Sequence, residues 1–326
     1  MKELVESFTK QLQNALEIAD KAVLSAKSNI SNVIVTGLGG SGIGGTILSE
    51  LVNDFCPVPV IVNKDYFLPS FANQNTLLIV SSYSGNTEET VQVMQEAISK
   101  NVQITCVTSG GKVLELSRQH MFDVIEIPGG NPPRSCIGYS LVQLIKIFTH
   151  HHLAPSSLFE DLKQSILLLT QEKEKIKQDA KLIAEKMANK IAVLYSLGSC
   201  EGVSVRFRQQ INENSKALCW HHVFPEMNHN ELVGWTEENK NLVVVTFHTS
   251  YDYNRTKKRY EVCKPLFQKY ANEVIDISAI GKSKLEQFMY LIHIGDWISC
   301  YIADIKGIDP VEVNVIDHLK KELSKF

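Results

Sequence analysis

The sequence predicts an α/β fold of two similar doubly wound subdomains, each around a central parallel sheet. Short apolar runs at 32–36, 58–62, 76–80, 103–107 and 123–127 alternate with longer segments of helical character, the βαβ rhythm of a parallel sheet. The pattern restarts at about residue 190, which implies a divergent internal duplication. Two of the apolar runs empty into small-residue turns that precede helices, and such turns at the carboxyl ends of parallel strands converge on one crevice.

A length of 326 residues suits two domains of about 150 residues, expected at 1–154 and 155–326 with the join in Leu153-Ala154-Pro155-Ser156-Ser157. A net charge of -3 provides no basic field for nucleic acid, so small-molecule chemistry is the expectation. The seven cysteines are scattered singly with no CxxC pair, which argues against a disulfide framework or a thiolate zinc site and points to a reducing cytoplasm. Residues 1–27 mix charges among their apolar side chains, unlike a signal peptide, and no later stretch approaches a membrane span.

In chain order, Leu4, Val5, Phe8, Leu12, Leu16 and Ile18 sit at helical spacing and predict an amphipathic helix over 3–26. The strand 32–36 leads into Gly37-Leu38-Gly39-Gly40-Ser41-Gly42-Ile43-Gly44-Gly45, expected as a loop, and then a helix over 46–52. Helices are expected at 87–100 and 137–150, with a rigid turn at 128–136 between strand 123–127 and the second of them. His150, His151 and His152 close that helix. They project in different directions, which suits a contact with the helix C-terminus better than a metal. The segment 158–189, with its Glu-Lys run, reads as a solvated helix face.

In the second half, strand 190–197 repeats strand 32–36, Asn241–Phe247 repeats 75–80, and Glu273–Ile277 matches Asp123–Ile127. A helix is expected over 206–211, ending at Asn212-Glu213-Asn214-Ser215-Lys216. Next come a polar loop at 225–235 and helices at 283–306 and 311–325.

The candidate site residues fall into two groups. Ser81-Ser82-Tyr83-Ser84-Gly85-Asn86-Thr87 joins hydroxyls to the free N–H groups of a helix start, a combination suited to phosphate but shared by any capped helix. Gly37-x-Gly39-x-x-Gly42, with Asp65 at the distance of a ribose-binding acid, formally matches a dinucleotide fingerprint, which keeps an NAD enzyme as an alternative. Arg134, delivered by a proline-rich turn, suits a developing oxyanion. Glu213, flanked by two amides, has the chemistry of a base, and His229 that of a proton shuttle near neutrality. Both also fit ordinary surface positions. The second copy has lost most of the glycines, so phosphate binding is expected in the first.

The stretches GLGGSGIGG (37–45), SSYSGNTEET (81–90), PGGNPPRSCIGY (128–139), NENSK (212–216), PEMNHNELVGW (225–235) and DPVEVNVIDHLK (309–320) resemble the bifunctional phosphoglucose/phosphomannose isomerases of the sugar isomerase (SIS) superfamily. They run in the family's order over nearly the whole chain. The resemblance implies SIS-type, flavodoxin-like subdomains and a cytoplasmic enzyme without metal or cofactor. It implies that Gly39, Gly40, Ser41, Ser82, Ser84 and Thr87 bind the phosphate of a hexose 6-phosphate, that Arg134 stabilises the intermediate, and that Glu213 is the base. His229 and Lys320 would assist ring opening, in a homodimer with shared active sites. Ser135 and Cys136 depart from the alanine-like residues usual in the family. The rival function is a non-catalytic SIS-type sensor, which would need the phosphate loops but not Glu213, His229 and Arg134.

Overall fold

The computed structural model describes residues 1–198 and 200–325 and opens on two helices, α1 (Lys2–Glu6) and α2 (Phe8–Lys21). The single helix expected over 3–26 is interrupted at Ser7, whose hydroxyl donates to the Leu4 carbonyl, the local competition that serine offers to a helix ladder.

The first sheet is built by β1 (Asn32–Thr36), α3 (Gly39–Val52), β2 (Val60–Asn63), β3 (Thr76–Ser82), α4 (Glu88–Ser99), β4 (Gln103–Thr108), α5 (Gly111–Gln119) and β5 (Asp123–Glu126). Its strands are all parallel, in the order β2-β1-β3-β4-β5. β3 is buried along its whole length, as a strand covered by helices on both faces must be. A short 3-10 turn, Pro133–Ser135, then leads to α6 (Ile137–His150), α7 (Ser157–Gln171) and α8 (Lys173–Met187). These last two are not solvated faces throughout: Leu162, Leu169, Ile176, Ala180 and Ala184 are buried in the core.

The second sheet contains β6 (Ile191–Ser196), β7 (Cys219–Val223), β8 (Asn239–His248) and β9 (Ala271–Ser278), in the parallel order β7-β6-β8-β9. Its helices are α9 (Glu201–Ser215) and α10 (Asn254–Tyr270), followed by α11 (Lys284–Lys306) and α12 (Asn314–Leu323). The order repeats β2-β1-β3-β4 of the first sheet, so the expected duplication is present. The expected correspondence of Glu273–Ile277 with β5 is corrected. β9 pairs with β8 as β4 pairs with β3, and the described residues hold no second-copy counterpart of β5. Two short strands with similar alternation cannot be told apart by pattern, since only pairing fixes position in a sheet.

One core cluster runs through both halves, from Leu12 and Ile47 to Phe207 and Trp297. α11 is its axle, packed on α7, α8 and α9, with a Ser283–Glu286 capping box at its start and Gly307 in the left-handed conformation at its end. α12 differs from every other long helix: it buries no residue, and Val315, Ile316, Leu319 and Leu323 are exposed.

Candidate active site

At the carboxyl ends of β1 and β3 the backbone is packed too closely for side chains. A Cβ on Gly42 would lie 2.1 Å from the Gly37 carbonyl oxygen, and one on Gly37 would lie 2.5 Å from that of Ser81. Only Gly37 and Leu38 of the glycine stretch lie outside the helix; α3 starts at Gly39, which corrects the loop expected through Gly45. The helix tolerates these glycines because Gly45 and Gly44 press against Val35 and Ser140, so tertiary packing overrides propensity. Gly39 and Gly40, as the first helical residues, leave their N–H groups without intrahelical partners.

The two loops are stitched together. Tyr83 N donates to Ser41 Oγ at 2.9 Å, and Ser81 Oγ donates to the Ser41 carbonyl at 3.3 Å. Ser82 Oγ donates to Thr87 Oγ1 at 3.1 Å; Thr87 stands at the N-cap of α4, its carbonyl accepting from Val91 N while its side chain makes no capping bond. Ser84 is exposed, and its Oγ accepts from Asn86 N. Gly85, at φ 68°, turns the chain against the Gly110 carbonyl, where a Cβ would come within 1.8 Å. The N-termini of α3 and α4 thus both open on the crevice that these hydroxyls line, an arrangement favourable to an anion. Asp65 is exposed beyond β2, its carboxylate accepting from Tyr66 N.

In the second copy the equivalent loop is closed by its own carboxylate. Asp252 accepts from Thr249 N at 2.7 Å and from Thr249 Oγ1 at 2.8 Å, so an internal anion occupies the donors that an external one would need.

Arg134 is 4% exposed, and its guanidinium is bound on several sides. Nε donates to Asn214 Oδ1 at 2.7 Å, Nη1 to Glu213 Oε2 at 3.2 Å, and Nη2 to the carbonyls of Pro310 and Val311 at 2.6 and 3.0 Å. The turn that carries it is held by Asn131 N donating to Tyr83 Oη at 3.1 Å. Glu213 lies in the last turn of α9, because that helix runs to Ser215 and not to Ile211 as expected. Asn212 and Asn214 are weak helix formers, but their amides are held by Ala217 O and by Arg134 and Ser299, and left-handed Lys216 ends the helix. Lys216 Nζ also reaches the Glu312 carbonyl at 2.6 Å, and burial lowers its pKa.

Arg134 and Glu213 are therefore brought together, and Gly40 packs directly on the Arg134 backbone. His229 and Lys320 are not. His229 is exposed on the 3-10 turn Glu226–His229, Lys320 is exposed on α12, and neither bonds to Arg134 or Glu213 among the described residues. Asn214, Arg206 and Asp296, which surround Arg134 from behind, have no local sequence signal beyond the amide beside Glu213. The described residues include no group of three or more His, Cys, Asp or Glu side chains placed to hold a metal. They also include no helix long and apolar enough to cross a membrane.

Residues 176–323 match the family described as the bacterial phospho-glucose isomerase C-terminal SIS domain. A bifunctional phosphoglucose/phosphomannose isomerase of Caldicellulosiruptor bescii is 38% identical, over 100% of this chain and 99% of its own. One of Aquifex aeolicus is 34% identical, over 90% of each. Among solved structures, the C-terminal domain of glucosamine-fructose-6-phosphate aminotransferase from Francisella tularensis superposes with a TM-score of 0.78 at 14% identity, over 96% of this chain and 98% of that one. Tagatose-6-phosphate ketose/aldose isomerase from Escherichia coli gives 0.68 at 16% identity, over 94% and 89%. At those identities the structural likeness establishes the fold alone.

Proposed function

Because the chain belongs to the bifunctional phosphoglucose/phosphomannose isomerases, we propose that Glu213 and Arg134 are the base and the electrophile of its aldose–ketose isomerisation. The protein is an isomerase that interconverts glucose 6-phosphate and mannose 6-phosphate with fructose 6-phosphate. The observation that carries the residue assignment is the Arg134–Glu213 contact of 3.2 Å beside the crevice of α3 and α4.

In this reading Gly39 and Gly40 N–H groups and the Ser41, Ser82, Ser84 and Thr87 side chains bind the phosphate. With the sugar open, Glu213 takes the C2 proton while O1 is protonated, giving a cis-enediol; Glu213 then delivers its proton to C1 as O2 loses one. Arg134 offsets the negative charge on the enediol oxygens. Both aldoses pass through the same enediol, so acting on both requires the C2 end to turn so that either hydrogen faces Glu213. A sensor would have no need of a carboxylate opposed to an arginine at this place.

His229 and Lys320 move the proton that opens the ring, and a homodimer brings them to the site. The exposed apolar face of α12 supports that assembly. The subdomain boundary falls at 154/155, and the enzyme works in the cytoplasm, where its seven cysteines remain reduced. A coupled assay of the purified, chelator-treated protein on the three hexose phosphates tests the function. Turnover of all three is expected, and binding without turnover would replace the enzyme by a sensor.

A further inference from the structure

α9 carries a buried polar stripe. Arg206, Gln210 and Asn214 recur every four residues, which places them on one helix face, and all three are 2% exposed or less. The face looks toward Arg134 on one side and toward Asp296 and Ser299 of α11 on the other. Arg206 Nη2 donates to the Arg134 carbonyl at 3.0 Å and to Asp296 Oδ2 at 2.6 Å, and Gln210 Nε2 donates to Asp296 Oδ1 at 2.8 Å. Asn214 Nδ2 donates to Ser299 Oγ at 3.0 Å while its Oδ1 receives Arg134 Nε. Buried polar groups of this kind contribute little to net stability compared with apolar packing, so their placement calls for another reason.

That reason lies in how charge is distributed. The carboxylate that faces the stripe, Asp296 of α11, is matched by Arg206. Arg134 is left with neutral acceptors behind it: an amide oxygen at Nε and two backbone carbonyls at Nη2. The amide cannot flip without setting Nδ2 against Nε–H, donor against donor. Among the described residues, the only carboxylate partner of Arg134 is Glu213, on the substrate side.

We infer that Asn214 is a positioning residue that fixes Arg134 through a neutral acceptor, so that the guanidinium is held in place while its charge stays directed at the substrate. The inference rests on the assignment of Arg134 as the oxyanion partner. A carboxylate at 214 would keep the shape and the acceptor but form a buried ion pair with Nε, drawing the charge backward.

Asn214→Asp tests this directly. The expected result on glucose 6-phosphate is a roughly 10–100-fold lower kcat with KM changed less than about threefold, since the phosphate loops are untouched. Ser299→Ala, which frees the far end of the amide without altering Asn214, is expected to lower kcat roughly 3–10-fold in the same manner. Should Asn214→Asp not fold, Ser299→Ala decides alone. Wild-type kcat per folded molecule in either variant, with or without a lower melting midpoint, overturns the inference and leaves a structural role. Arg134→Gln in the same assay separates the two levels. If it keeps its rate, the assignment of Arg134 fails; if it loses rate and Asn214→Asp does not, only the role of Asn214 fails.

Discussion

Gly40 lies directly beneath the backbone of Arg134: a Cβ there would sit 2.9 Å from the Arg134 nitrogen and 2.9 Å from the Pro133 carbonyl carbon. The first turn of α3, proposed to hold the phosphate, is thereby in contact with the turn that carries the guanidinium. Both neighbours are backbone atoms, so one of the two turns has to move if a methyl is added. Gly40→Ala is expected to lower kcat by about 10–100-fold, the cost of displacing a catalytic group by a fraction of an ångström to an ångström. Steady-state kinetics on fructose 6-phosphate checks it, and an unchanged kcat would mean that the contact has slack.

Removing the base without changing its shape gives a cleaner test of the chemistry. Glu213→Gln can still accept from Arg134 Nη1 through its amide oxygen, but it cannot take a proton from carbon. Its kcat should fall roughly 10²–10⁴-fold while inorganic phosphate and substrate still bind. Near-normal turnover would remove Glu213 from the role.

The elements were readable where the governing interactions are local. α6 begins and ends where its pattern predicts, and the strands of the first sheet fall within a few residues of expectation, because apolar runs, turns and caps are neighbours in sequence. No sequence pattern marks β7: Cys219-Trp220-His221-His222-Val223 has no alternation, and only its pairing with β6 makes it a strand. The far end of α9 was hidden for a related reason, since Asn214 is helical through partners 80 and 85 residues away. The meeting of Arg134 with Glu213, separated by 79 residues, was equally invisible to spacing. The phosphate loops are motifs of contiguous residues and could be recognised as such.

A pH effect follows from Glu50, at the junction of α3 and α9, where Oε1 accepts from Gly202 N at 2.7 Å and Oε2 is buried without a partner. Burial, with Glu201 nearby, raises its pKa from the ordinary 4.5 to about 8. In the folded protein Glu50 therefore keeps its proton up to about pH 8, whereas in the unfolded chain it is ionised above about 4.5. The unfolded state is favoured progressively across that window, so stability falls as pH rises and then levels off. Glu50→Gln retains the acceptor for Gly202 and has no charge to bury. It should match wild type near pH 4 and exceed it by about 2 kcal/mol above pH 8, measured from urea midpoints. A difference independent of pH would reject this account.

Lys320 and Lys321 are distinguished by their positions around α12. With about 100° per residue, Val315, Ile316, Leu319 and Leu323 form one strip, Lys320 flanks it, and Lys321 falls nearly opposite. If the strip is the face that docks, Lys320 enters the contact at its edge and Lys321 remains in water. Lys320→Ala is therefore expected to lower kcat for the cyclic sugar by about 10²-fold, with Lys321→Ala staying within about twofold of wild type. α12 buries no residue of its own, so neither change should lower the melting midpoint measurably, and the loss can be read as function. Equal losses in the two variants, or a loss at Lys321 alone, would refute both the orientation of α12 and the role given to Lys320.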